Sequence, residues 1–411
     1  MIGAGVVGAC TALMLRRKGY EVTIVDPNPP GEGASFGNAG CFNGSSVVPM
    51  AMPGILKNVP GWLLNPMGPL SIRWSYLPNI APWLIRFMQA GTPRKVADQA
   101  RALRSLLETT VADMTELATE AGAAHLVRHE GHLYVYRSER SFQKDRGGWA
   151  LRRDNGVRLE ILDEAALRDF DPSLAPGFIK GVFIPENGHT TNPGQLVKCL
   201  VEHALRQGAT LMPASASGVS LDGEKVRAVN TSNGELPADY VVVTAGAHSK
   251  TFTDQLGDHV LLDTERGYHL VISDPEVRPK VPTTDAEGKF VVTMMEQGLR
   301  LAGTVELGGL KLPPDWRRSR ILLDHVRRML PGLPASYGED RFEQWMGFRP
   351  SLPDSLPVIG RSAASPNVLY GFGHGHVGMT GGPMTARVLA QLVAGEPTTI
   401  DISPFSPGRF S

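Results

Sequence analysis

Apolar positions along the chain change spacing several times, and each spacing predicts a different element. Met1 and Ile2 precede a glycine-rich turn, Ala9 to Gly19 read as a helix, and Glu21-Val-Thr-Ile-Val-Asp26 reads as a strand. Residues 47–90 are apolar and Pro-rich without a clean period. From 93 to 122, Val96, Leu103, Leu106, Leu107, Val111, Met114 and Leu117 recur at three and four, predicting one long amphipathic helix ended by Gly122. Gly131-His-Leu-Tyr-Val-Tyr136 alternates as a strand, 158–161 and 181–185 are short strands, and Asp163 caps a helix to Phe170. Asn192 and Pro193 open a helix with Leu196, Val197, Leu200 and Val201 on one face, ending at Gly208. Strands follow at 210–213, 226–231, 239–244, 268–272, 290–294 and 299–305, then a helix at 317–329 and a last helix running to Gly395. This mixture predicts an α/β chain in which a nucleotide-binding unit is interleaved with an α+β domain built on a mixed or antiparallel sheet.

The first turn carries chemistry. Gly3, Gly5 and Gly8 fit G-x-G-x-x-G between a strand and a helix, and Asp26 ends the next strand. Gly3 permits the tight turn, Gly5 lets backbone approach a pyrophosphate, and Gly8 lets helix and strand pack closely. The helix N-terminus favours the phosphates, and Asp26 can take a ribose hydroxyl, which argues against a 2′-phosphate and NADP. The first strand is oddly short: either the start has been trimmed or mis-assigned, or the central strand is unusually brief. A chain that begins at Met1 is expected to lose stability near the cofactor.

Composition narrows the class. With 41 basic and 41 acidic residues the net charge is zero, so no nucleic-acid footprint is expected. Cys10, Cys41 and Cys199 have no metal-ligand spacing, so no metal site is expected and a reducing, cytoplasmic setting is. No signal peptide and no spanning helix are read. Trp62, Trp74 and Trp83 fall within 47–90, either in a wall packed on the core or in a surface lying on the inner face of a membrane. Sparse basic residues there (Lys57, Arg73, Arg86) favour the packed wall.

Ala34-Ser-Phe-Gly-Asn-Ala-Gly40, after the G-x-G-x-x-G, resembles the D-amino acid dehydrogenase branch of the FAD-dependent D-amino acid oxidase (DAO) superfamily, which also includes glycine and sarcosine oxidases. Tyr240 to Thr244 with Ala245-Gly246-Ala247 is similar to that superfamily's second FAD motif. The G-F-R-P element ending at Pro350, the P-x-I-G turn at 357–360 and the G-H-G-x-x-G-x-T run at 373–380 follow in family order. The resemblance implies FAD rather than NAD, without a covalent link at Cys41. It implies a discontinuous FAD-binding domain (1–46, 189–262 and 344–411) and a substrate-binding domain (47–188 and 263–343). Cofactor contacts are expected from Ser35, Asn38, Ala39, Gly40, Ala216, Gly246, Gly373, Gly375, Gly378, Met379 and Thr380 besides the first-turn residues.

An amino-acid substrate needs a carboxylate clamp, and Arg offers a planar fork that matches two oxygens. Arg349 matches the superfamily's carboxylate arginine; Tyr268 matches a substrate-facing tyrosine, with Arg266 a weaker candidate. His269 alternates to the other face of the Tyr268 strand, so one of the pair faces the site. His374 is expected beside the flavin. Val377 matches the position of a second basic residue in glycine and sarcosine oxidases, which puts a second clamp in doubt. His132 and His189 are expected near the pocket or in structural roles. The implied reaction is hydride transfer from a D-amino acid Cα to flavin N5, with electrons passed to a quinone or respiratory carrier. Alternatives are an oxygen-using amino acid or N-methyl amine oxidase, and a non-catalytic FAD subunit.

Overall fold

The computed structural model describes residues 1–54, 68, 70–334 and 336–410. Its nucleotide-side sheet is parallel at the centre. Thr23–Asp26 pairs with Thr210–Pro213, and Val241–Val243 pairs with Val368–Phe372, both parallel; Val358–Arg361 adds antiparallel to the latter. The short first strand is one bridging residue: Ile2 pairs in parallel with both Val25 and Val243. The 241–244 side satisfies the Ile2 backbone, with Ile2 N–H on the Val242 carbonyl and Thr244 N–H on the Ile2 carbonyl, while Met1 and Gly3 bond Val25 on the other side.

Helices Val6–Arg17, Pro193–Arg206 and Gly378–Ala394 pack into one core with Pro93–Leu107 and Thr110–Glu120. The single helix expected over 93–122 is thus two. The β-branched run Thr109-Thr110-Val111 is poor in helix interiors, and Gly44 backs tightly onto the Leu107 carbonyl at the break. The expected caps are in place: the Asn192 side chain accepts from Gln195 N–H, and the Asp163 side chain from Ala166 N–H.

Among the described residues the second sheet has nine strands. Phe342–Ser351 lies at one edge, followed by Asp263–Ile272, Gly298–Leu307, Phe290–Met295, Thr283–Asp285, His132–Tyr136, Lys180–Ile184 and Glu160–Asp163. Leu70–Ile72 adds in parallel to Gly298–Leu307. Helix Arg317–Met329 packs on one face of this sheet. The motif around Arg349 therefore belongs to an edge strand of the large sheet.

Part of the 47–90 segment is a helix, Leu77–Ala90. Ile80 and Trp83 are buried against the sheet, and Trp83 Nε1 donates to the Ser351 carbonyl. Trp74 is 70% exposed, and Ile85 and Met88 also face outward. Lys57 and Trp62 lie outside the described residues. Among the described residues no helix is long and apolar enough to cross a membrane.

Candidate active site

The glycine turn has the shape that its sequence requires. Gly3 has φ +106°, and a Cβ there would press on the Thr244 carbonyl oxygen at 2.6 Å. A Cβ at Gly8 would collide with the Gly3 carbonyl oxygen, so helix and strand meet as closely as the motif predicts. Gly5 is open, its nearest neighbour for a Cβ being Ser35 Oγ at 3.4 Å. Asp26 holds the turn: its Oδ2 accepts from Ala4 N–H at 2.8 Å and its Oδ1 from Asn28 N–H at 2.9 Å. Thr244 Oγ1 donates to the Ile2 carbonyl, which draws the second motif, with Gly246 at φ +55°, around the same turn. Ala216 opens the Ala216–Asp222 strand, two residues beyond Ala214, whose N–H bonds the Asp26 carbonyl.

The second wall is the 35–40 loop. Ser35 Oγ accepts from Val6 N–H, and Asn38 Oδ1 accepts from Gly40 N–H, where φ is +75°. The N–H groups of Gly37 and Ala39 have no acceptor among the described residues. The long helices Val6–Arg17 and Gly378–Ala394 lie side by side, and neither has a side-chain cap from its own N-cap residue. Asn43 Oδ1 is buried and unpaired. Helix ends without a cap from their own N-cap residues, free amides, an open Gly5 and an orphaned amide oxygen fit a flavin dinucleotide, since anionic phosphates and polar ring edges satisfy such donors and acceptors. Met379 is in the core, and Thr380 Oγ1 donates to the Cys41 carbonyl and accepts from Asn43 N–H. Of the three residues from 378 to 380, only backbone N–H groups remain to meet a ligand.

The substrate side is one face of the large sheet. Register sets Glu265 opposite Arg349, Gly267 opposite Gly347 and His269 opposite Trp345, so all six share that face. The Arg349 guanidinium lies over Gly267, and the Trp345 ring covers Gly347 and meets Gly37 of the nucleotide-side loop. Among the described residues Arg349 makes one hydrogen bond, Nη1 to the Thr304 carbonyl at 3.3 Å. That carbonyl is aimed by a β-bulge: Thr304 is the extra residue between Gly303 and Val305, at φ +54°. Burial lowers the Arg349 pKa and the facing Glu265 raises it; Glu265 is itself held by Ser351 Oγ at 2.6 Å. Gly375 N–H donates to the Pro350 carbonyl at 2.7 Å, which ties the 373–377 run to the Arg349 strand. Gly373 has φ +86°. Glu265, Ser351, Gly375 and His376 line one hollow, and Arg349 is half-buried beside Glu265.

Tyr268 does not join Arg349. It lies on the opposite face, 1% exposed, donating to Glu306 Oε2 at 2.6 Å and accepting from Asp315 N–H. Burial and the Glu306 carboxylate push its hydroxyl up to about 12. Arg266 shares that buried face. His269 is the member of the pair on the site face, stacked on Trp345 with ring centroids 5.0 Å apart. The His374 ring turns into the last helix, where Nε2 pairs with Thr385 Oγ1 at 2.8 Å, leaving backbone alone to meet a flavin. Val377 is a core residue. The basic group that opens into the recess is His376; surrounding protein and the Arg349 and Arg152 charges lower its pKa. His132 is buried between Thr284 Oγ1 and Asn43, and His189 is buried with Nδ1 unpaired. A separate hollow lined by Leu13, Arg17 and Glu120 lies at the far end of the first helix, where Arg17 is already paired with Glu120.

Sequence reasoning missed Arg300, Thr304 and Glu265. The signal for Arg300 was a charge inside the apolar alternation Leu299-Arg-Leu301. Nothing local marks Thr304, whose bulge exists only against its partner strand.

The buried histidines make a pH prediction. Burial lowers the pKa of His132 and His269 to about 3, and of His189 and His374 to about 4. The unfolded chain binds these protons near pH 6.5, and the native state does so only near pH 3–4. Stability is therefore full above pH 6.5 and falls as pH drops below it, by about 1.4 kcal/mol per pH unit per histidine. Thermal melts from pH 7.5 to 5 should show this fall, shallower in His374→Gln. A melting temperature independent of pH there would contradict the burial of these rings.

A family model described as FAD dependent oxidoreductase matches residues 1–392. A D-amino-acid oxidase of Bradyrhizobium diazoefficiens is 45% identical over 413 residues, covering 100% of this chain and 98% of the relative. D-amino acid dehydrogenase 2 of Ralstonia nicotianae is 32% identical over 422 residues, covering 100% and 99%. Glycine oxidase from Geobacillus kaustophilus superposes with a TM-score of 0.75 at 20% identity over 99% of this chain and 97% of that one, a likeness of fold.

Proposed function

Because the chain belongs to the FAD dependent oxidoreductase family, we propose that it oxidises the Cα–N bond of D-amino acids, with Arg349 as the carboxylate anchor. The observation that carries this reading is Arg349 itself. It is a half-buried guanidinium on the face turned to the 35–40 loop, with one carbonyl bond and no acid within ion-pair distance among the described residues. A carboxylate there would gain charge-assisted bonds from donors that are otherwise idle. When bound, the flavin supplies the two-electron acceptor for the Cα hydride. The residues of this chain orient the substrate: Arg349 fixes the carboxylate, and Trp345 and His269 wall the space beside it. The resulting imine is hydrolysed by water to a 2-oxo acid and ammonia.

FAD is read as non-covalently bound, since burial pushes the Cys41 thiol up to about 12 and makes it a poor nucleophile. The domain division proposed from sequence is kept with two changes: helices 93–107 and 110–120 pack with the nucleotide-side core, and strand 342–351 pairs in the large sheet. For the electron acceptor, the dehydrogenase relatives support a quinone or respiratory carrier, and the 45% identical oxidase supports oxygen as the second reading. Contact with the inner face of a membrane has its support in the outward Trp74, Ile85 and Met88, and flotation with anionic vesicles tests it.

Anaerobic addition of D- and L-amino acids to the holoprotein, followed by air, tests the whole reading. Bleaching of the flavin band by D-amino acids is expected. Slow recolouring in air assigns a carrier as acceptor, and fast recolouring assigns oxygen. A flavin band that no amino acid bleaches would remove the substrate class.

A further inference from the structure

We propose that Arg300 is a positioning residue for the cofactor, holding the 36–38 loop, and with it the backbone that meets FAD, against the large sheet. Arg300 lies in Gly298–Leu307 and is 2% exposed. Its Nη1 donates to two carbonyls of the opposite loop, Phe36 at 2.9 Å and Asn38 at 2.7 Å. His269, on the neighbouring strand, pairs through Nδ1 with the intervening Gly37 carbonyl at 3.1 Å. The Trp345 ring, stacked on His269, lies against Gly37 so closely that no Cβ fits there. Three consecutive carbonyls are thus engaged by one sheet face. From its other side the loop is held by Val6 N–H on Ser35 Oγ and by Thr190 N–H on the Gly40 carbonyl at 2.7 Å.

The electrostatics single out Arg300 within this clamp. Among the described residues no acid lies within ion-pair distance of it, and its Nε is buried and unpaired. The acid that acts on it, Glu343, is exposed, on the same face of the edge strand. A buried cation without a counter-charge is costly. Here two carbonyl dipoles partly compensate it, and the remaining positive field falls on the loop that meets an anionic dinucleotide. The inference rests on the FAD-binding reading of the 35–40 loop and not on the substrate.

The test is a titration of apoprotein with FAD, read by quenching of flavin fluorescence, beside thermal melts of each apoprotein. Arg300→Met should weaken FAD binding by at least about 30-fold, because two buried carbonyls lose a charged donor. Arg300→Lys should recover part of the loss, since an ammonium keeps the charge but not the reach by which Nη1 meets both carbonyls. Gly37→Ala keeps the cation and leaves the core untouched, but drives its new Cβ into Trp345. It should weaken FAD binding about tenfold or more, and Trp345→Phe in that background should restore it by removing the ring that collides. Affinities within threefold of wild type for both Arg300→Met and Gly37→Ala would overturn the proposal. So would an Arg300→Met apoprotein that fails to fold while Gly37→Ala binds FAD normally, since Arg300 would then serve the fold alone. A wild-type apoprotein that does not bind FAD would overturn the cofactor reading of the loop together with the proposal.

Discussion

Arg349→Ala should raise KM for D-amino acids by about 10- to 150-fold, the equivalent of about 1.5–3 kcal/mol for a hydrogen bond to a charged group. The flavin spectrum and FAD affinity should not change, because Arg349 makes its bond to Thr304 on the large sheet and none to the 35–40 loop. Arg349→Lys should recover little, since a single ammonium cannot present two parallel donors across Gly267. Steady-state kinetics with an artificial electron acceptor measures all of this. Tyr268→Phe is the control: its hydroxyl is spent on Glu306 and Asp315 on the far face, so KM should stay at the wild-type value. A normal KM in Arg349→Ala would sink the anchor assignment.

The contrast between these two residues shows where sequence stopped being informative. Strand alternation established that Tyr268 and His269 point to opposite faces. Which face meets the cofactor depends on pairing with Phe342–Ser351 and Gly298–Leu307, strands distant in sequence. Local signals carried what is locally determined: the Asn192 and Asp163 caps, the glycine turn, and the Arg317–Met329 helix. The one-residue first strand was legible as an oddity, but its remedy was not. Ile2 works as a strand because Val25 and Val243 flank it on both sides. Arg300 was hidden for the opposite reason. An arginine between two leucines reads as a solvent-facing strand position, and here that face is covered by the 36–38 loop.

Glu306→Gln should destabilise the protein by about 3–5 kcal/mol, the usual cost of breaking a buried ion pair from one side. Glu306 is fully buried and accepts from Arg73 Nε at 2.5 Å, Tyr268 Oη at 2.6 Å and, more distantly, Arg266 Nη1 at 3.4 Å. Arg266 is also fully buried, and donates besides to the carbonyls of Gly309, Leu312 and Pro313. With the carboxylate neutralised, that guanidinium keeps its carbonyl partners and loses its counter-charge. If the chain melts as one unit, its entropy of unfolding converts this cost to a fall in melting temperature of roughly 3–6 °C. Calorimetry measures it, and an unchanged melting curve would mean that the carbonyls alone hold Arg266. The same variant connects the two faces of the sheet. Glu306 and Arg266 sit opposite one another beside the bulge that turns the Thr304 carbonyl toward Arg349. Loosening the buried face should therefore relax the bulge and raise KM without weakening FAD binding, as expected if the charged network on one side sets the register that aims the anchor on the other.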